Sequence, residues 1–119
     1  MAYIDGFVTP VPLARRAEYI AYAAEWWPRF RALGALAMTE AWGDDVPDGQ
    51  HTDFRRAVAA EPDEAVLFSW LIWPDRATRD AGHAAIAGDP SLEGEMARMP
   101  FDGRRLIYGG FTPVFQEEV

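Results

Sequence analysis

The nine residues Ala65-Val66-Leu67-Phe68-Ser69-Trp70-Leu71-Ile72-Trp73 constrain this chain more than any other segment. The run has the length of a strand and is bounded by Pro74. Successive strand residues point to opposite faces. One face therefore carries Val66, Phe68, Trp70 and Ile72, and the other Leu67, Leu71 and Trp73 around Ser69. An antiparallel sheet with one wet face alternates apolar with polar; this strand is apolar on both. Helices can cover one face, and the chain has none to spare for the other. A second copy of the sheet, related by a closed two-fold axis, is the economical cover. The expectation is a homodimer whose two sheets pack face to face.

The rest of the chain supplies the partners of that strand. Residues 3–10 read as a first strand, stopped by Pro10 and Pro12, which cannot donate to a ladder. From Leu13 the period becomes helical: Leu13, Ala17, Ile20, Ala24 and Trp27 make one stripe, and Tyr19, Tyr22, Trp26 and Phe30 a second beside it. Pro28 should kink or end this helix, and Gly34 should stop it. Residues 35–42 alternate small with large as a strand does, residues 43–50 are a loop, and residues 54–60 suggest a short strand or arm. Asp75 caps a helix of about residues 75–87, Asp89-Pro90 opens a short one, and residues 106–115 are the last strand. The order is βαββαβ. It predicts a ferredoxin-like α+β fold over residues 1–119 as a single domain: a four-stranded antiparallel sheet with both helices on one face.

Composition narrows the function classes. The 119 residues include no cysteine, which removes disulfides, thiolate nucleophiles and cysteine-ligated metal centres. No apolar stretch reaches membrane-span length and no export signal opens the chain, so a cytoplasmic protein is expected. A formal charge of −8, with eleven scattered arginines as the cations, disfavours nucleic acid and anionic membrane as partners.

Several segments carry a more specific signal: Tyr3-Ile4-Asp5-Gly6-Phe7-Val8, Gly43-Asp44-Asp45-Val46-Pro47-Asp48-Gly49, Phe68-Ser69-Trp70, Arg76 with Arg79 and Asp80, and the run Met99–Phe111. Together they resemble the YbaA-like family of small bacterial proteins, over nearly the whole chain. The resemblance implies a dimeric α/β-barrel fold and implies no activity.

Candidate chemistry starts from polar residues on apolar strand faces. Asp5 alternates with Tyr3 and Phe7, and Glu40 with Met38 and Trp42. If these large-residue faces look into the dimer barrel, each carboxylate sits in an aromatic space, its pKa raised toward general acid–base work. Trp42, Trp70 and Tyr108 would then be walls of a small-molecule site, and Arg56 or Arg104 a counter-charge. The bland reading pairs each acid with an arginine for structure. The Asp44–Asp48 loop lacks the ligands of a calcium loop at its third and twelfth positions (Val46, Arg55). His51 and His83 have no ligand-spaced partner, and Ser69 lies in no nucleophile elbow. No metal and no cofactor is expected. Arg104 and Arg105 are expected on the acidic loop, or Asp102 and Arg104 at a ligand entrance. Gly109 and Gly110 suggest a bulge or a close backbone approach. Two functions follow: a small-molecule or cofactor-independent monooxygenase-like domain, by analogy of fold, or a non-catalytic regulatory or protein-binding dimer module.

Overall fold

The computed structural model describes residues 2–119. Its elements run β1 (Tyr3–Pro12), a 3-10 turn (Leu13–Arg15), α1 (Arg16–Ala32), β2 (Ala37–Trp42), α2 (Phe54–Ala57) and β3 (Glu64–Trp73). They continue with α3 (Arg76–Ala87), a second 3-10 turn (Pro90–Leu92), α4 (Glu95–Arg98) and β4 (Ile107–Phe111). The four strands form one antiparallel sheet in the order β2-β3-β1-β4. This is the expected ferredoxin-like α+β arrangement.

Register assigns the faces. Glu40 stands opposite Ser69, which stands opposite Phe7, and Met38, Leu71 and Asp5 form the neighbouring row. That face lies under the helices. Phe30 of α1 meets Trp73 edge-on with ring centroids 6.5 Å apart. Gly82 lets α3 settle on the same tryptophan, since a Cβ there would lie 2.9 Å from Trp73 Cη2. Trp73 is fully buried, together with Leu67 and Val11. The opposite face carries Phe68, Trp70, Ile72, Ile107 and Phe111; neither long helix lies on it, and Phe54 of α2 meets Phe68 edge-on at its margin, ring centroids 6.0 Å apart. Phe68 is 50% exposed and Phe111 59% exposed on that open face.

Four local expectations are corrected. β1 runs through Pro10 to Pro12, because its pairing with β4 ends at Val8; beyond that point a proline's missing donor faces no partner strand. α1 passes through Pro28 and ends at Ala32. Residues 54–57 are a helical turn, not a strand, because Asp53 accepts the Arg56 backbone N–H as a cap. The last strand covers only Ile107–Phe111 of the expected 106–115. Gly110 is a close approach: a side chain there would collide with the Tyr3 hydroxyl.

Candidate functional site

Between α1 and the sheet lies a cavity of about 230 Å³. The aromatic stripe of α1 supplies one wall, with Tyr19, Tyr22, Trp26 and Phe30, while Phe7, Met38 and Leu71 rise from the sheet. Ile86 of α3, with Met99, Phe101 and Leu106 from the segment that follows α3, closes it. Glu40 is the one carboxylate that lines it.

Glu40 owes its place to strand pairing. It faces Ser69 across β2 and β3, and the Ser69 hydroxyl donates to Glu40 Oε2. Tyr19, one of the buried residues of α1, donates its hydroxyl to the same oxygen at 2.8 Å. No arginine or histidine reaches this carboxylate among the described residues, and Oε1 receives no hydrogen bond from them. Oε1 is also not sealed: the one fully enclosed side-chain polar atom without a partner among the described residues is Nη1 of Arg29. Burial pushes the Glu40 carboxyl above its ordinary value, against the two hydroxyl donors that pull it down. Burial, then the neighbouring Glu40 charge, pushes the Tyr19 phenol far up, so it stays a donor. The site is an apolar aromatic chamber with one carboxyl oxygen free to accept or to hold a proton.

The segment that closes the chamber is tied to α1. Glu95 Oε1 accepts the Tyr22 hydroxyl at 3.1 Å and the Trp26 indole N–H at 3.3 Å. Burial, with the nearby Glu95 charge, pushes the Tyr22 phenol up to about 12. Arg98 donates to both oxygens of Glu25. At the far end, Arg105 grips Glu64 through two bonds of 2.6 and 2.7 Å.

Asp5 has a different setting. It is 1% exposed and accepts Trp73 Nε1 at 2.9 Å and Arg79 Nε at 3.0 Å. His83 Nε2 lies 2.8 Å away. Such a carboxylate anchors α3 to the sheet, the structural reading of the two weighed for it.

The two acids therefore look toward the helices of their own chain, because the large-residue faces of β1 and β2 are the helix-covered ones. The suggested walls do not line the cavity. Trp42 lies beneath the Arg16 guanidinium, 5.2 Å from its ring centroid. Trp70 is on the open face beside Phe68. Tyr108 stacks on Phe7 and is 65% exposed. Arg56 pairs with Asp53 and Arg104 with Asp102, both far from Glu40 in the contacts they make. Arg105 turns to Glu64, not to the acidic loop. The residues that do wall the chamber were visible as the second apolar stripe of α1; Glu95, in a short helix, gave no signal of its own.

Comparison with known proteins agrees with this fold. Residues 2–103 match a family described as a protein of unknown function, DUF1428. The chain is 46% identical over 117 residues to the uncharacterized protein YbaA of Escherichia coli strain K12, covering 98% of this chain and 100% of that one. Among solved structures, a dimeric ferredoxin-like protein from an uncultured marine organism superposes with a TM-score of 0.65 at 8% identity, over 100% of both chains. A monooxygenase of Streptomyces coelicolor in complex with nanaomycin D superposes with a TM-score of 0.60 at 14% identity, over 99% of this chain and 92% of that one. No helix among the described residues is long and apolar enough to cross a membrane.

Proposed function

Since the chain belongs to the DUF1428 family, we propose a function for it from its own geometry: it binds a small aromatic molecule bearing an ionisable hydroxyl in the cavity beside Glu40. The observation that carries this reading is a half-buried carboxylate with a free oxygen and no cation, set in an aromatic chamber. An engineered apolar cavity of about 150 Å³ takes up benzene, so 230 Å³ has room for a substituted or bicyclic ring. Ring faces and edges of the α1 stripe hold such a ligand by stacking, and Glu40 Oε1 accepts its hydroxyl proton.

That proton transfer is the chemistry the site can perform. A carboxylate whose pKa is raised by burial is a stronger base toward a weak oxygen acid than an exposed one. Dioxygen adds to a ring carbon of the aromatic anion left behind, the peroxide takes the proton back from Glu40, and loss of water with that carbon's hydrogen gives a quinone: one oxygen atom is kept, the other leaves as water, and the substrate supplies the electrons. The fold shared with a monooxygenase supports a cofactor-independent oxygenation as the reaction. The competing reading, a non-catalytic dimer module, draws support from the complete pairing of Asp5 and the open sheet face.

The dimer belongs to both readings. Phe68, Phe111 and Ile107 are 50%, 59% and 44% exposed on a face that neither long helix covers, a patch that a soluble monomer seldom leaves open. A second copy covers it by sheet-on-sheet packing, and the dimeric ferredoxin-like neighbour supports that arrangement.

The test uses 1-naphthol and naphthalene as probes, read by quenching of tryptophan fluorescence, to which Trp26 contributes from the cavity wall. Naphthol is expected to bind about ten- to a hundredfold more tightly than naphthalene, the worth of a hydrogen bond to a charged group. Glu40→Gln removes that preference. Equal binding of the two probes, or none of either, refutes the site. Oxygen uptake with ionisable aromatics, lost in Glu40→Gln, separates the enzyme from the binding module.

A further inference from the structure

Glu40 lines a second space as well. On the outer side of the α1–β2 seam is a surface cleft of about 390 Å³, lined by Ala23, Ala24, Trp27, Ala37, Met38 and Glu40. Ala23, Met38 and Glu40 line both the cleft and the interior cavity, so they form the partition between the two. The cleft exists because the seam is built from alanines where α1 crosses β2, which has no partner strand on its outer edge.

A second feature lies in the helix beside this cleft. Pro28 lies inside α1 and has no N–H to give to the Ala24 carbonyl, its partner four residues back. Ala24 is exposed and lines the cleft. A helix carbonyl that loses its usual donor is open to water, and Ala24 lines the same cleft as Glu40. From sequence, Pro28 reads as a stop or kink; in the structure it lies inside a helix that runs on to Ala32.

The cavity itself offers the opposite environment. When an apolar ligand fills it, water is excluded from that side of Glu40, and a proton taken from the ligand has nowhere to go within the chamber. We infer that the Ala24–Ala37 cleft is the proton-exchange route of Glu40, connecting the carboxyl to solvent on the side away from the ligand. The inference rests on the site proposed above for its purpose but not for its geometry. Water in the cleft needs a polar partner to carry a proton onward, and Glu40, which lines the cleft, supplies one. Ligand and proton thereby use different spaces. The ligand occupies the interior cavity, and the proton leaves through the seam between α1 and β2.

The experiment is hydrogen–deuterium exchange of the Glu40 carboxyl in the full chain, followed by rapid-mixing infrared spectroscopy at a pH where the group holds its proton. Its carboxylic C=O band is the one missing from Glu40→Gln. Ala24→Leu and Ala37→Leu each fill the cleft from a different element, so failure of one variant to fold leaves the other. Both are expected to slow exchange at least tenfold. Leu106→Trp, which fills the cavity from the opposite side, is expected to leave the rate unchanged. Slowing by Leu106→Trp to the same extent, or slowing by none of the three, overturns the route. No ligand is present in this measurement. The route can therefore fail while naphthol still binds, and naphthol binding can fail while the route stands.

Discussion

Replacing Asp5 with Asn should destabilise the protein by about 3 kcal/mol, and the figure follows from the contacts of one carboxylate. Asp5 is 1% exposed and takes hydrogen bonds from Trp73 and Arg79, with His83 Nε2 at 2.8 Å. Arg79 adds a second approach through Nη2 at 2.9 Å. Removing one partner of a buried ion pair costs about 3–5 kcal/mol, because the other charge is left uncompensated. Arg79 is partly spared: it keeps Asp80 at 3.0 Å and its side chain is 15% exposed. That places the loss at the lower end of the range. For a chain of this size the corresponding fall in Tm is about 10–15 °C. Urea unfolding at fixed protein concentration measures it directly, since a dimer would make stability concentration-dependent. Arg79→Met added to Asp5→Asn should recover about 1 kcal/mol or more, because the stranded charge is then gone. Naphthol affinity of the folded variant should be unchanged, as Asp5 does not line the cavity. A loss below about 1 kcal/mol, or a double variant less stable than Asp5→Asn, would refute the anchoring role.

Three further outcomes follow from the same geometry. Burial raises the Glu40 carboxyl above its ordinary 4.5, so its contribution to stability is full below that pH and is lost as pH rises through the raised value. Glu40→Gln lacks this loss and should gain on the wild type between those limits, as urea midpoints across a pH series would show. Phe68→Arg on the open face should yield monomers in sedimentation velocity at micromolar concentration, and an unchanged dimer would count against face-to-face packing. Glu95→Ala unties the cavity-closing segment from Tyr22 and Trp26, and stopped-flow dissociation of naphthol should quicken about tenfold, two hydrogen bonds' worth.

What could be read in the sequence was decided by periodicity. The run from Ala65 to Trp73 announced a strand apolar on both faces, and the four-stranded order followed from the spacing of the other segments. The polar residues on those faces were found for the same reason: Asp5 and Glu40 interrupt an apolar alternation. Which of them is free was not legible, because their partners lie on another element. Arg79 and His83 come to Asp5 from more than seventy residues away, and nothing local marks that meeting. The aromatic walls were misplaced because Trp70 belongs to the face turned away from the helices, and Trp42 is taken up by Arg16. Tyr19, Tyr22, Trp26 and Phe30 were legible as a stripe but not as a chamber, since a gap between packed layers has no sequence signature. The turn at Phe54 was missed because four residues are too few for a period; its signal was Asp53 three residues before Arg56.

The closing segment carries a consequence for how proteins of this kind can diverge. Ile86, Met99, Phe101 and Leu106 shape one side of the chamber, and all but Ile86 lie outside the four strands and the two long helices. The sheet, the Asp5 anchor and the buried Trp73 set the fold without Met99 and Leu106. Substitutions at Met99 and Leu106 can therefore reshape the chamber while leaving the machinery of folding and the Glu40 carboxyl where they are, whereas Phe101 also packs on the Val11, Tyr19 and Leu67 core. Ligand preference and architectural integrity are separately mutable, and relatives sharing this scaffold are free to differ in what they hold.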